Sequence, residues 1–353
     1  MRLAIIILLD GLIFFSGCAH SQEIDDLKNP ELVGISAELM DEIEQNVSKL
    51  PNILSFVVLK DSLIVSENYY NGADRNSLFH IRSITKSITS LTLSILLEEN
   101  QLFNTQNKIA DFYPDKIVAP EISLINEISI QHILDMQSGF EWSESLEVIN
   151  WYTSIRNPTD YILSKKVVEK PGTSWNYNSG SVHLLSAVFD SLTGVNQELF
   201  CNQALFKPLD ITNFAWDKDP TGVVRPDAGL QLRARDLTKI GQLILNKGST
   251  KEQILINREW IEDISRFKID LNSEYGPLTK LHYNNLWWLA EYKGNKILFA
   301  LGYGGQLLII IPDLEMILVA NHLYQLRPEV ANKQGRAFLN AALIPLIDHL
   351  TVE

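Results

Sequence analysis

Strand-forming segments lie at both ends of this chain with a long, mostly helical stretch between them, and few architectures accommodate that order. Ile53–Leu59 and Leu63–Tyr69 are short apolar runs joined by Lys60-Asp61-Ser62, the pattern of a hairpin. Strand signals return only late, at Leu286–Tyr292, Ile297–Leu301, Leu307–Ile311 and Met316–Asn321, with turns at Gly294-Asn295 and Pro312-Asp313. From about 80 to 282 the pattern is helical, broken at Pro171-Gly172, Gly194, Gly248 and Pro277. Ile35, Leu39, Ile43 and Val47 recur at helical spacing ahead of the hairpin, and a last helix over about Glu329–Leu350 carries Pro345 near its end. Two chain ends can share one sheet only if the middle is set aside. The order therefore predicts an α+β fold, with an antiparallel sheet built from both chain ends, flanked by helices, and an inserted mostly helical lobe. The lobes fall at about 35–78 with 283–353, and at about 79–282, within one domain spanning 35–353. A cleft between two lobes is a usual place for a site.

At 46% hydrophobic and 21% charged residues over 353 positions, the chain can bury a sizeable core. Its net charge of −13, with no long basic run, repels phosphate backbones and excludes nucleic acid as a partner. Met1-Arg2 precedes a short apolar run from Leu3 to Phe15, too short to span a membrane, which predicts an export signal over 1–17. Phe15-Ser16-Gly17-Cys18 resembles a lipobox, in which Cys18 is acylated; residues 18–34 are then a tether. The expected location is periplasmic, on a bacterial membrane reached only through that lipid. Cys18 and Cys201 are the only cysteines, so lipidation leaves no intramolecular disulfide, and Cys201 reads as a small buried hydrophobe.

The sharpest chemical signal is Ser83-Ile84-Thr85-Lys86 at the head of a helix marked by Ile84, Ile88, Leu91 and Ile95. Residues three apart share a helix face, so the Lys86 amine reaches Ser83 Oγ. A serine needs an adjacent base to act as a nucleophile. A free lysine titrates near 10.4, about 4 kcal/mol from being a base at neutral pH, which burial and a helix N-terminus could supply. The stripe Ser83, Ser87, Ser90, Ser94 is equally what close helix packing would use. Ser265-Arg266-Phe267-Lys268 has the same spacing without an apolar helix behind it and reads as surface.

Two later loops add to Ser83. Pro171–Gly180 offers Tyr177 as a second proton carrier and Ser179 as a hydrogen-bond partner for Lys86 or substrate. Gly302-Tyr303-Gly304-Gly305-Gln306 precedes a strand, where glycines let substrate approach the backbone and its N–H groups. The seven histidines (His20, His80, His132, His183, His282, His322, His349) lack metal-ligand spacing, so neither metal nor cofactor is expected. His80 and His322 read as structural. Trp142, Trp151, Trp287 and Trp288 are candidates for an acyl pocket or for ordinary packing.

Taken in order, these segments resemble the serine β-lactamase-like hydrolases: class C β-lactamases, D-Ala-D-Ala carboxypeptidases, and their esterase and 6-aminohexanoate-oligomer hydrolase relatives. Phe79–Ser83, Ile133–Gly139, Leu205–Asp210 and Gly229–Leu237 carry the same likeness. The resemblance implies a β-lactamase/DD-peptidase-like fold, Ser83 as acylated nucleophile, Lys86 as its base and Tyr177 as proton shuttle. It also implies an oxyanion hole from the N–H of Ser83 and of Gln306 or a close neighbour, with Tyr303, Gly304 and Gly305 facing substrate. Ser179 stands where class C enzymes have Asn, and uncharged Tyr303 where they have a Lys that holds the substrate carboxylate. The implied activity is therefore hydrolysis of a small carboxylic ester or non-β-lactam amide. A β-lactamase or D-Ala-D-Ala carboxypeptidase, and a penicillin-recognising sensor without turnover, are the alternatives.

Overall fold

The computed structural model describes residues 27–117 and 124–351. The export segment and Cys18 lie outside the described residues. The end of the stretch read as a tether is docked on the domain, with Lys28 N–H donating to Ile64 O at 2.8 Å and Val33 buried.

Helix α1 (Ala37–Ser48) starts where the Ser36 hydroxyl accepts from Leu39 N–H, and it buries Met40, Ile43 and Val47. The hairpin follows as β1 (Ile53–Lys60) and β2 (Leu63–Tyr69). Asp61 and Ser62 both have positive φ, 51° and 64°, which gives the two-residue turn a twist matched to its strands. Short strands β3 (Phe79–His80), β4 (Ala215–Trp216) and β5 (Leu230–Leu232) make a small sheet in the middle region, beside helix α2 (Ile84–Glu99). The chain closes with β6 (Ile269–Asp270), β7 (Thr279–Asn284), β8 (Trp287–Tyr292), β9 (Asn295–Gly302), β10 (Gln306–Ile311) and β11 (Met316–His322).

The main sheet has eight strands in the order β2-β1-β11-β10-β9-β8-β7-β6, antiparallel at every pairing. Val57 opposite Val319 joins the two chain ends, where β1 pairs with β11. Both faces are covered. Val57, Leu59, Leu308, Ile310, Ile317 and Val319 pack toward α2 and the helix Ala234–Leu245, while Phe56, Val58, Leu307, Ile309 and Leu318 pack toward α1 and the C-terminal helices. A strand buried on both faces reads as an unbroken apolar run rather than an alternating one, as Leu307–Ile311 does.

Two features depart from the sequence expectation. β6 and β7 occupy a stretch read as helical, because β7 has only Leu281 and Tyr283 to carry alternation and follows Gly276-Pro277. The terminal helix is three pieces: Pro328–Phe338, a π-helical turn Leu339–Leu343, and Ile344–Leu350. The wide turn sits just ahead of Pro345, which has no N–H to return to an α-helical acceptor.

Candidate active site

A strand–turn–helix junction holds Ser83. Ile81 N–H bonds Leu230 O on β5, and Arg82 then takes φ 52°, an uncommon conformation for a residue with a side chain. Thr85 secures it: its hydroxyl donates to Arg82 O at 2.6 Å and accepts from Leu230 N–H at 3.2 Å. Ser83 heads α2 without spending its hydroxyl on a helix cap, so Oγ is left for chemistry. Behind it, every residue from Ile84 to Leu96 is buried, which fixes the helix axially.

Lys86 is 1% exposed, and its Nζ lies 3.1 Å from Ser83 Oγ, 3.0 Å from Ser179 Oγ and 2.7 Å from Asp227 O. Ser179 has one hydroxyl proton and gives it to Glu144 Oε1 at 2.6 Å, while Ser179 N–H and Trp142 Nε1–H donate to Glu144 Oε2. Toward Lys86, then, Ser179 Oγ can only accept, and so can the Asp227 carbonyl. Two of the three positions on Nζ must carry hydrogens. The third faces Ser83 Oγ, so an unprotonated Lys86 presents its lone pair to the nucleophile. The Asp227 carboxyl is fully buried, accepting from Trp151 Nε1–H at 3.0 Å and Tyr152 O–H at 2.5 Å. Burial raises its pKa, but Lys86, Arg225, His183 and the Tyr152 hydroxyl outweigh that and hold it below the usual range.

Tyr177 completes the group. Its ring stacks on Trp288 (centroids 5.8 Å apart, 23° between planes), meets Tyr283 edgewise and lies tilted against Trp175, with Lys86 Nζ 5.1 Å from its centroid. Burial raises the pKa of its phenol, the Lys86 charge lowers it, Glu144 raises it, and hydrogen bonds with Ser83 and Lys86 lower it; the net shift is upward. At neutral pH Tyr177 is a proton donor, not a phenolate.

The glycine loop is arranged differently from the sequence expectation. Gly302 abuts the chain beside Ser83, since a β-carbon there would lie 2.4 Å from Ile81 O. Gln306 turns away: it is 1% exposed, and its amide bridges the backbone of His322, donating to O at 2.9 Å and accepting from N–H at 3.1 Å. Its own backbone pairs with Gly302 in the ladder. Gly305 faces the helix Pro328–Phe338, where a β-carbon would lie 2.7 Å from Gly335 N. Among the described residues, the N–H groups of Ser83, Tyr303 and Gly304 make no hydrogen bond. On this turn the N–H groups left without a bond are therefore those of Tyr303 and Gly304. The Tyr303 side chain is 37% exposed and donates to Leu326 O.

The remaining candidates sort plainly. His322 Nδ1–H donates to Gly305 O inside the core, and His80 meets Tyr324 edge to face beside Asp217. Trp151 and Trp287 are core residues; Trp142 holds Glu144, and Trp288 supports Tyr177. Ser265 Oγ donates to Ile261 O while Lys268 pairs with Asp135 at 2.6 Å, so the second Ser-x-x-Lys brings no reactive pair together. The Cys201 thiol is buried, with its pKa pushed up to about 12. Glu144 and Asp227 were not singled out from the sequence. A glutamate in the first turn of a helix is ordinary helix chemistry, and Asp227 takes part through its main chain, which no side-chain pattern reports.

A family model described as Beta-lactamase matches residues 43–341. The 6-aminohexanoate-dimer hydrolase of Paenarthrobacter ureafaciens is 23% identical over 285 residues, covering 75% of this chain and 71% of that protein. A Bacillus anthracis structure described as a 6-aminohexanoate-dimer hydrolase superposes with TM-score 0.70 at 22% identity, over 93% of this chain and 86% of its own. The D-amino acid amidase of Ochrobactrum anthropi superposes with TM-score 0.65 at 12% identity, over 86% of this chain and 99% of its own. These structures share the fold, the β-lactamase/DD-peptidase-like arrangement of one antiparallel sheet with flanking helices.

Proposed function

The chain belongs to the β-lactamase family of hydrolases, and from that premise we propose that it cleaves a carboxylic ester or a non-β-lactam amide through an acyl-enzyme on Ser83. The observation that carries this is the three-way setting of Lys86 Nζ between Ser83 Oγ, Ser179 Oγ and Asp227 O. Unprotonated Lys86 takes the Ser83 proton as Oγ attacks the carbonyl carbon. The oxygen anion that forms is met by Ser83 N–H and by the free N–H of Tyr303 or Gly304. Tyr177 donates its phenolic proton to the leaving oxygen or nitrogen as that bond breaks, and is reprotonated from Lys86. Water then adds to the acyl carbon, giving one proton back through Lys86 to Ser83 as the acid departs.

Substrate class follows from two features. Tyr303 places no cation at the strand end. A cavity of about 560 Å³ shares Trp175 and Trp288 with the Tyr177 cage; with Leu281 and Leu301 they give it an apolar wall that suits an aliphatic or aromatic acyl or leaving group, and Asp270, Glu274 and Arg336 line it as well. The amide-hydrolase names of its relatives favour the same class.

The test is hydrolysis of p-nitrophenyl acetate and butyrate beside nitrocefin, with Ser83→Ala as control. Ester turnover that falls about a thousandfold or more in Ser83→Ala, with weak nitrocefin activity, is the expected result. Turnover surviving in Ser83→Ala would overturn the mechanism, and rapid nitrocefin hydrolysis would overturn the substrate class.

A further inference from the structure

Two arginines beside the reacting group make no ion-pair contact with a carboxylate, although the charge of Arg225 acts on buried Asp227. Arg82, next to Ser83, is clasped between the rings of Tyr152 and Tyr324, its guanidinium carbon 4.9 and 4.8 Å from their centroids. Arg225 lies 5.0 Å from the same Tyr152 ring and is only 5% exposed. Among the described residues no Asp or Glu oxygen comes within ion-pair distance of either guanidinium. Neither side chain has a hydrogen-bond partner, and Arg82 Nε and Arg225 Nη1 are buried with none. Buried donors left unmet are uncommon and ask for a reason.

Both arginines line one cavity of about 430 Å³, with Lys218, Ala228 and Gly229 on its wall. It adjoins the reacting pair through two chain segments, since Arg82 precedes Ser83 and Ala228 follows Asp227, whose carbonyl holds Lys86. The acids on its wall, Asp217 and Asp219, form no ion pair with either arginine. Asp219 serves Thr221 N–H and O–H, Val223 N–H and His183, while Asp217 takes Gln231 and lies beside His80. Lys218 pairs with Glu198. The cavity thus presents two guanidiniums that no carboxylate pairs with, on a wall that also holds the carboxylates of Asp217 and Asp219. The two guanidiniums are held by one aromatic ring, so their forks are oriented before any ligand arrives.

On the hydrolase reading above, on which this depends, we propose that the Arg82–Arg225 cavity binds a free carboxylate of the substrate. A carboxylate accepts paired N–H groups from a guanidinium fork in one plane, which neither water nor a neutral ester carbonyl does as well. The substrate is then an ester or amide that also carries a carboxylate, such as a half-ester of a dicarboxylic acid or an acylated hydroxy or amino acid. This cation is placed on a different element from Tyr303, on the nucleophile's own turn and on the loop before β5.

The test compares matched pairs. On the acyl side these are mono-p-nitrophenyl glutarate and its methyl ester; on the leaving-group side, 3-acetoxybenzoate and its methyl ester. For each pair the ratio of kcat/KM, charged over neutral, cancels any loss common to both members. The expected result is a ratio of about tenfold or more for at least one pair, arising in KM, and a fall toward one in Arg225→Met and in Arg82→Met. Arg225→Lys should restore part of it. A ratio near one for both pairs, or one that survives both Met variants, overturns the proposal. Binding is read separately on Ser83→Ala, by calorimetry with glutarate. Glutarate bound there and lost on adding Arg225→Met supports the site even where no ester is turned over, an outcome that would remove the hydrolase reading alone. Absence of glutarate binding together with a ratio near one would leave the cavity as a water pocket.

Discussion

Ser179 Oγ lies 2.6 Å from Glu144 Oε1 and gives it its only proton, which decides the direction of every hydrogen bond around Lys86. Substituting Glu144→Gln leaves Ser179 free to donate toward Lys86 and occupy the lone pair meant for Ser83. A hydrogen bond to a charged acceptor contributes about 1.5–3 kcal/mol, so ester kcat should fall about 10- to 100-fold with KM little changed. The pH profile of kcat/KM should shift as well. An unaltered profile and full activity would show that Glu144 does not direct Lys86.

Gly302 has no room for a side chain, because a β-carbon would meet Ile81 O at 2.4 Å. Gly302→Ala should push the end of β9 away from the Ser83 turn. Displacing a catalytic group by about 1 Å can cost about 100-fold in rate, so activity should fall by that order. A thermal melt run beside the assay checks the claim: loss of activity without displacement should not occur while the melting temperature also stays at its wild-type value.

Trp288 stacks on Tyr177, and an aromatic pair of this kind contributes about 0.5–1.5 kcal/mol beyond the area it buries. Trp288→Leu should lower ester kcat about tenfold by loosening the phenol, and Trp288→Phe should recover most of it. Equal activity in the Leu and Phe variants would count against a positioning role.

His322 is 2% exposed, and burial lowers its pKa to about 4, so the folded protein holds it neutral where the unfolded chain, near 6.5, is protonated. The unfolded state thus binds more protons between those values, and stability falls as the pH drops from about 6.5 toward 4. The share from this residue is about 2 kcal/mol between pH 7 and pH 5. Urea unfolding of wild type and His322→Gln at both pH values should show a smaller acid-side loss in the variant. Equal losses would remove His322 as the cause.

Periodicity located the hairpin, the four strands from β8 to β11 and the helix headed by Ser83, because each has an apolar face repeated often enough to register. β7 was hidden, with only Leu281 and Tyr283 alternating after Gly276-Pro277. Ser83 and Lys86 were legible because a helix fixes the geometry of residues three apart. The oxyanion donor stayed open between Gln306 and its close neighbours, because the sequence shows glycines before a strand but not which peptide of the turn abuts Ile81.

By itself, then, the sequence determined a sheet shared between the chain ends and a serine and lysine placed together on one helical turn. Both are local, and hydrogen-bonded periodicity enforces them. Only the tertiary structure decided what Lys86 faces. Ser179 is 93 residues away and Asp227 is 141 away. Glu144, Arg82 and Arg225 likewise converge from separate segments around Tyr152 and Ser179. An apolar pattern records which face of an element is buried, but the residue it meets there is set by how whole elements pack. The direction of Lys86's lone pair and the grouping of two arginines on one ring are products of that packing.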